Sequence, residues 1–495
     1  MKNLLFLLAV CLLLIGSESC YKEKFIPNAE LFPELEKDLI LKLNNKECGY
    51  DYQEEMLRFS IENQLIANFS PFVEYSKSSS LYFEGTLLNN NEINNLGTIE
   101  INTIYEVEIE TNGTRKKYEL SFTNLPIVQI IVPSEIQDMP KKAAKITLNF
   151  QEENKASDQF YIGIEHRGGS SQFYDKKSFG FALKRNPNLS GGYSASLFDL
   201  KPNNDWILDA MWIDEARLRN KTSFELWQQL SASQHSGING EFVELFINNE
   251  HQGLYCLNEN MNSEFLNLEG SDGVLYKAIN WEDGATRFET YSSDVSTDFY
   301  WDGWEQKYPQ INTNWSSLSN LRNLVVNGND SIFSSSITSL IDINNFADYY
   351  IFLNLVMGLD NTGKNTYLWK ETSGSKFKVI PWDLDGTWGI FWDGNTIGPT
   401  SILSNNLYDR LIRLDTDNFK NKLKQRWTSL RAGIFSTTNL KKAFDDNFAL
   451  INKQNIVPIE NKKWQSTINY QNEQQYLLNW LDNRVIYLDN YFTNL

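Results

Sequence analysis

Asp360 and Asn365 stand five residues apart in the run Gly358-Leu359-Asp360-Asn361-Thr362-Gly363-Lys364-Asn365-Thr366-Tyr367. In phosphoryl-transfer loops an Asp at this spacing orients the attacking hydroxyl and the Asn holds a metal. Spacing alone says little, because Asp and Asn are ordinary turn residues. A second acidic element follows. Phe377-Lys378-Val379-Ile380 reads as an apolar strand that delivers Pro381-Trp382-Asp383-Leu384-Asp385-Gly386. A carboxylate at the end of a buried strand, beside a glycine, resembles the Asp that grips Mg²⁺ in phosphotransferases. Asp383 and Asp385, two apart on an extended segment, are expected to point to opposite sides, one toward a metal and one bracing the loop. A hairpin through Ser373-Gly374-Ser375 would bring Asp360 and Asp383 to the same end of a small sheet. A capping Asp and a turn Asp are the plain structural alternative.

A third element lies upstream. Arg167-Gly168-Gly169-Ser170-Ser171 leaves the strand Tyr161-Ile162-Gly163-Ile164-Glu165 and precedes Lys176-Lys177-Ser178. A Gly/Ser turn offers backbone N–H groups to a phosphate, and a nearby lysine neutralises it as a point charge. A polar hairpin loop with solvated lysines would read the same. Other chemistries fit poorly. The chain has three histidines and four cysteines. Serine–histidine triads, histidine metal sites and a disulfide framework are therefore not expected. A formal net charge of −18 argues against nucleic-acid backbones as partners.

The elements that must position these residues fall into stretches. With 495 residues and 41% hydrophobic content, two domains are expected. Leu4 to Ile15 is a signal-like apolar run behind Lys2, and Gly16-Ser17-Glu18-Ser19-Cys20 follows. Residues 1–20 read as a signal peptide of lipoprotein type, with Cys20 the lipidated residue that tethers the protein to a membrane outside the cytoplasm. Residues 21–51 read as a tether with a short helix. From 52 to 132 hydrophobicity alternates with period two, and Asn112-Gly113 marks a hairpin turn. An immunoglobulin-like β sandwich is expected there, serving as a spacer. Residues 133–495 begin β-rich and become helical after about 280. Asp342 is placed to cap a helix with Phe346, Tyr349, Tyr350, Phe352, Leu353 and Val356 inward. A final helix over 473–492 is expected to turn Leu477, Leu478, Leu481 and Ile486 inward.

Taken in order, these residues resemble the spore coat protein H (CotH) kinase family. The resemblance rests on Arg167 to Ser171 with Lys176-Lys177-Ser178; Trp206 with Asp214 and Leu218-Arg219-Asn220; Val243-Glu244-Leu245 through Gly253-Leu254-Tyr255; Leu275-Tyr276-Lys277; Asp360 through Asn365; and Pro381 through Asp385. Here the first loop reads Gly168-Gly169-Ser170 where the family commonly has Gly-Asn-Ser, and Asn260 stands where a basic residue is frequent. The resemblance implies an α+β fold: a divergent two-lobed, protein-kinase-like domain behind the small all-β domain. It implies ATP as co-substrate and Mg²⁺ or Mn²⁺. Asp360 would be catalytic, Asp383 the main metal ligand, and Asn365 and Asp385 its helpers. Lys177, Arg167 and Ser170 would meet nucleotide phosphates, and Glu259 would pair with a lysine of the β-rich lobe. The expected function is an exported atypical protein kinase acting on Ser, Thr or Tyr hydroxyls of a protein substrate. The alternative is a weakly active or inactive surface or adhesion lipoprotein on the same scaffold. That reading leans on Trp301, Trp304 and Trp315 being exposed.

Overall fold

The structure, a computed structural model, describes residues 41–153, 155–230 and 236–495. The signal-like segment and Cys20 lie outside the described residues. The fold is mixed α+β.

Strands begin at Leu41–Leu43 and continue through Lys46–Glu47 and Gly49–Asp51, inside the stretch expected to be a tether. Up to Thr123 the chain forms a six-stranded sheet, a four-stranded sheet and a two-stranded ribbon. The period-two pattern explains them. Leu57, Phe59, Leu81, Phe83, Val107, Ile109, Leu120 and Phe122 share one core, while the residues between them turn to the opposite face, where Arg58 is buried against the barrel. The Asn112-Gly113 turn joins Ile104–Thr111 to Thr114–Thr123 with φ of 52° and 78°, the left-handed pair that a tight hairpin needs.

Seven strands then close into a barrel. In spatial order they are Ile127–Ile131, Lys142–Asn149, Asp158–Arg167, Ser178–Lys184, Asp205–Asp209, Glu250–Glu259 and Gly240–Ile247. The parallel pairing of Ile127 with Glu244 completes the ring. Val128, Ile146, Ile162, Phe181, Leu208, Leu245 and Tyr255 fill it. A closed barrel leaves no strand edge, so functional loops gather at its ends. The C-terminal end of Asp158–Arg167, the start of Ser178–Lys184 and the C-terminal end of Asp205–Asp209 share one end, since Arg167 faces Ser178 and Phe179 faces Leu208.

The rest is helical around a five-stranded sheet in the order Tyr300–Trp301, Trp304–Tyr308, Val274–Ala278, Thr366–Lys370, Lys378–Pro381. The hairpin expected through Ser373-Gly374-Ser375 is its last pair. Helix Ile343–Val356 packs beside it, and Asp342 caps it by accepting from the N–H groups of Asn344 and Asn345. Every residue from Asn345 to Val356 is buried, so the helix has no solvent face. Two expectations are corrected. Trp301, Trp304 and Trp315 are buried, packed into the large core beneath the sheet. Ile486 is 67% exposed. In helix Tyr470–Asn494 the inward stripe runs Leu477, Leu481, Arg484, Val485 and Leu488. One position past Val485 turns a side chain by about 100° toward solvent.

Buried ion groups join the parts. Arg58 of the N-terminal sheets donates to Glu244 of the barrel, with Nε 2.9 Å from Oε2. His251 Nε2 stands 3.1 Å from the same oxygen. Burial alone would raise the Glu244 carboxyl, but Arg58 and His251 outweigh it and hold it well below 4.5. Glu460, on helix Ile456–Trp464, accepts from Lys176 and from Arg217 Nε at 3.0 Å. It also takes the N–H of Leu254 at 2.8 Å. Gly253 is required beside it: at φ +91° a Cβ there would sit 2.6 Å from Glu460 Oε1.

Glu244→Gln leaves Arg58 buried against a neutral partner and should cost about 3–5 kcal/mol at neutral pH. A carboxyl depressed by folding contributes above its unfolded pKa and loses that contribution as pH falls below 4.5. Thermal unfolding across a pH series should show the wild-type advantage shrinking on acidification. A gap that is constant with pH, or absent, would refute the pair's role.

Candidate active site

The site forms where the end of the barrel meets the loops of the five-stranded sheet. Helix Ile343–Val356 ends with Met357 in the left-handed region, and the chain turns through a short 3-10 turn, Asp360–Thr362, into strand Thr366–Lys370. Asn361 holds this loop to the next one. Its amide donates to the carbonyls of Asn365 at 2.8 Å and Trp382 at 2.7 Å. Tyr349 Oη donates to the Asn361 carbonyl at 2.8 Å. Trp382 N–H closes onto the carbonyl of Asn365 at 2.9 Å. The loops bearing Asp360 and Asp383, far apart in sequence, are thereby bound to one another.

Asn365 and Asp383 are both left-handed, with φ of 53° and 56°. Such conformations are uncommon outside glycine and gather at functional sites. They also overturn the alternation expected for Asp383 and Asp385. The strand ends at Pro381, so period-two geometry does not reach them. Asp383 is open to solvent although protein atoms crowd around it, which places it on the floor of a recess. Desolvation raises its pKa. Lys277 opposes this, Asp209 adds to it, and Lys364 and Arg167 oppose it further. Asp385 is raised strongly, first by desolvation and then by Asp383 and Asp209. Among the described residues the Asp383 carboxylate accepts no hydrogen bond, and the nearly buried Asn365 amide makes none. Asp385 Oδ1 accepts from the N–H of Gly386 at 2.8 Å.

Asp360 is partly buried and pairs with Lys364, Nζ to Oδ2 3.3 Å. Arg167, at the end of its barrel strand, lies against Trp382, 5.7 Å from the ring centre. Lys277 lies 5.5 Å from the same ring. Burial lowers the Lys277 pKa to about 8, with Arg167 adding to the fall and Asp383 opposing it.

The structure thus gathers Asp360, Asn365, Asp383, Asp385 and Arg167, and engages two other candidates in backbone contacts of their own. Lys177 turns back on its own loop and donates to the carbonyls of Gln172, at 2.8 Å, and Tyr174. Glu259 accepts from the backbone N–H groups of Lys201 and of Asn239, the latter at 2.7 Å, rather than from a lysine side chain. In the pairing of Asp205–Asp209 with Glu250–Glu259 it faces Trp206. That puts it about 10 Å along the strand from Asp209. Ser170 begins the 3-10 turn Ser170–Phe173; its side chain lies outside the described part.

Three residues escaped the sequence reading of the site. Lys277 and Asn220 belong to motifs quoted above, but nothing local tied them to Asp383. Asn220 Nδ2 donates to Asp209 Oδ2 at 2.9 Å, and its Oδ1 accepts the N–H of Leu384 at 2.9 Å. It therefore links the barrel end to the acidic loop. Asp209 carried no motif signal. Asp214, by contrast, is scaffolding: it accepts from the N–H groups of Ala216, Leu218 and Arg219 and from the Arg219 guanidinium.

Among the described residues no three His, Cys, Asp or Glu side chains are grouped to hold a metal. Two mutually repelling carboxylates and an unengaged amide still offer the oxygen donors that a hard cation keeping several waters prefers. Asn361→Asp removes the donors that bind the two loops and should destabilise the fold by about 1–3 kcal/mol. Urea titration monitored by tryptophan fluorescence would reveal this. An unchanged midpoint would show that the loops are held otherwise.

Comparison with known proteins identifies the family. The family described as "CotH kinase protein" matches residues 164–488, more than half of the chain. The inner spore coat protein H of Bacillus subtilis (strain 168) is 21% identical over 275 residues, covering 54% of this chain and 70% of that protein. The family match, over residues 164–488, includes the barrel end, the sheet and the loops that line the recess. The chain belongs to the CotH kinase protein family.

Proposed function

We propose that the chain is a metal-dependent protein kinase that moves the γ-phosphoryl group of ATP to a protein hydroxyl. The observation that carries this reading is the convergence of Asp360, Asn365, Asp383 and Asp385 on one recess with the cations Arg167, Lys277 and Lys364. The arrangement has the two halves that phosphoryl transfer needs, oxygen donors for a cation and positive charge for phosphate. Asp360 receives or orients the proton of the incoming hydroxyl, and Lys364 holds its carboxylate in place. Asp383, with Asn365 and Asp385, is the candidate set for Mg²⁺ or Mn²⁺, which would screen phosphate charge when bound. The barrel supplies one wall and the sheet with its helices the other, a two-lobed arrangement of the kinase kind with the ligand between lobes. The inactive-scaffold reading has lost one support, since Trp301, Trp304 and Trp315 are not surface residues.

Purified protein given Mg²⁺ or Mn²⁺ and γ-labelled ATP should label a protein acceptor. Asp360→Asn should reduce transfer by about 10²–10⁴-fold, the usual worth of a positioned acid or base. Asp383→Asn and chelation by EDTA should abolish it. Equal labelling by wild type and both variants would sink the assignment.

We further place the protein outside the cytoplasm. The signal-like start supports this, as does the spore coat description of the relative. Among the described residues no helix is long and apolar enough to cross a membrane. The apolar run and the small residues before Cys20 support membrane attachment through a lipid on that cysteine. Cys20→Ser should move the protein from the membrane to the soluble fraction; unchanged membrane recovery would exclude the lipid.

A further inference from the structure

Lys277 and Arg167 come from different parts of the fold and both lie against the ring of Trp382. Arg167 ends the barrel strand Asp158–Arg167, and Lys277 lies within the sheet strand Val274–Ala278. Their charged groups stand 5.7 and 5.5 Å from the Trp382 ring centre, and Lys277 Nζ is also 5.8 Å from the Tyr367 ring. Among the described residues neither side chain donates a hydrogen bond. Glu305, the cross-strand neighbour of Lys277, accepts from Lys307 at 2.9 Å instead. Lys364, the third cation, is engaged by Asp360. Aromatic faces hold cations in position but leave their N–H donors without an oxygen acceptor. The two cations also repel one another, and a protein-walled recess screens that repulsion less than water does. Asp383 balances one charge of the two, so the pair has room for an anion with several oxygens.

Resting on the phosphotransfer reading, we infer that Lys277 and Arg167 form a clamp for the polyphosphate chain of the nucleotide, positioned by Trp382. The lysine that meets phosphate therefore comes from the sheet beneath the catalytic loops. Lys177, the lysine of the barrel loop, is occupied by its own turn. The recess is divided accordingly: Asp209, Asp383 and Asp385 line its acidic side, and the clamp forms its basic side.

Titration calorimetry of the full chain with tripolyphosphate, and with ATP in the presence and absence of Mg²⁺, tests the clamp. Lys277→Met and Arg167→Met should each weaken tripolyphosphate binding by about tenfold or more, and Lys277→Arg should recover most of the Lys277 loss. Melting curves of each variant establish that it is folded. If Lys277→Met does not fold, Lys277→Arg and Arg167→Met carry the test. Binding unchanged within about twofold in both methionine variants overturns the clamp. So does a loss produced by Lys177→Met and not by Lys277→Met. Phosphate transfer by wild type with an unaltered KM for ATP in both methionine variants overturns the clamp alone. Clamp-dependent tripolyphosphate binding with no transfer from ATP upholds the clamp and overturns the kinase reading. A wild type that binds neither tripolyphosphate nor ATP overturns both.

Discussion

A carboxylate removed from water must find its cations in the place where it is buried, or the fold does not close over it. Glu460 imposes that condition on the whole molecule. It is fully buried, and it draws Lys176 from the loop behind Arg167, Arg217 from the segment after Asp209, and the N–H of Leu254 from the middle of a barrel strand. Its helix belongs to the C-terminal bundle. A single side chain thus locks the loop after one barrel strand, the loop after another, and the helical half into one arrangement. Arg167 and Asp209 reach the recess from those same two loops or their edges, so the position of the barrel end depends on this contact.

The second requirement is that two acidic loops stay together despite their charge. Asp383 and Asp385 repel, and Asp209 adds a third negative group nearby. Neutral amides hold them. Asn361 ties the loop of Asp360 to that of Asp383, and Asn220 ties Asp209 to the backbone between Asp383 and Asp385. An amide offers a donor and an acceptor at once, which suits a place where a carboxylate and an N–H must be bridged and a further charge would be costly. The left-handed backbone of Asn365 and Asp383 belongs to the same economy of design: structure on both sides fixes these residues, and among the described residues their side chains make no hydrogen bond.

Much of this was legible locally. The hairpin through Ser373-Gly374-Ser375, the Asp342 cap and the Asn112-Gly113 turn each depend on neighbours within a few residues, and each stands where the pattern placed it. The helix from Ile343 to Val356 was legible as a helix but not as one buried on all sides, because a stripe records only its strongest face. Ile486 was misplaced for a related reason: Arg484, a charged residue, takes an inward position that hydrophobic counting assigns elsewhere. The partners of Lys177 and Glu259 were not legible, because backbone carbonyls and N–H groups, which carry no sequence identity, engage them.

The sequence by itself determined the carboxylates, amides and cations offered to the recess, their order along the chain, and the family they belong to. Motif order and local spacing carry that information, since they are properties of the chain before it folds. Only the tertiary structure decided which charges share the recess. The placement of Lys277 and Arg167 against Trp382, and the bridge from Asn220 to Leu384, join segments more than one hundred residues apart. Contacts of that kind are set by barrel closure and by the burial of Glu460, and no local pattern encodes them.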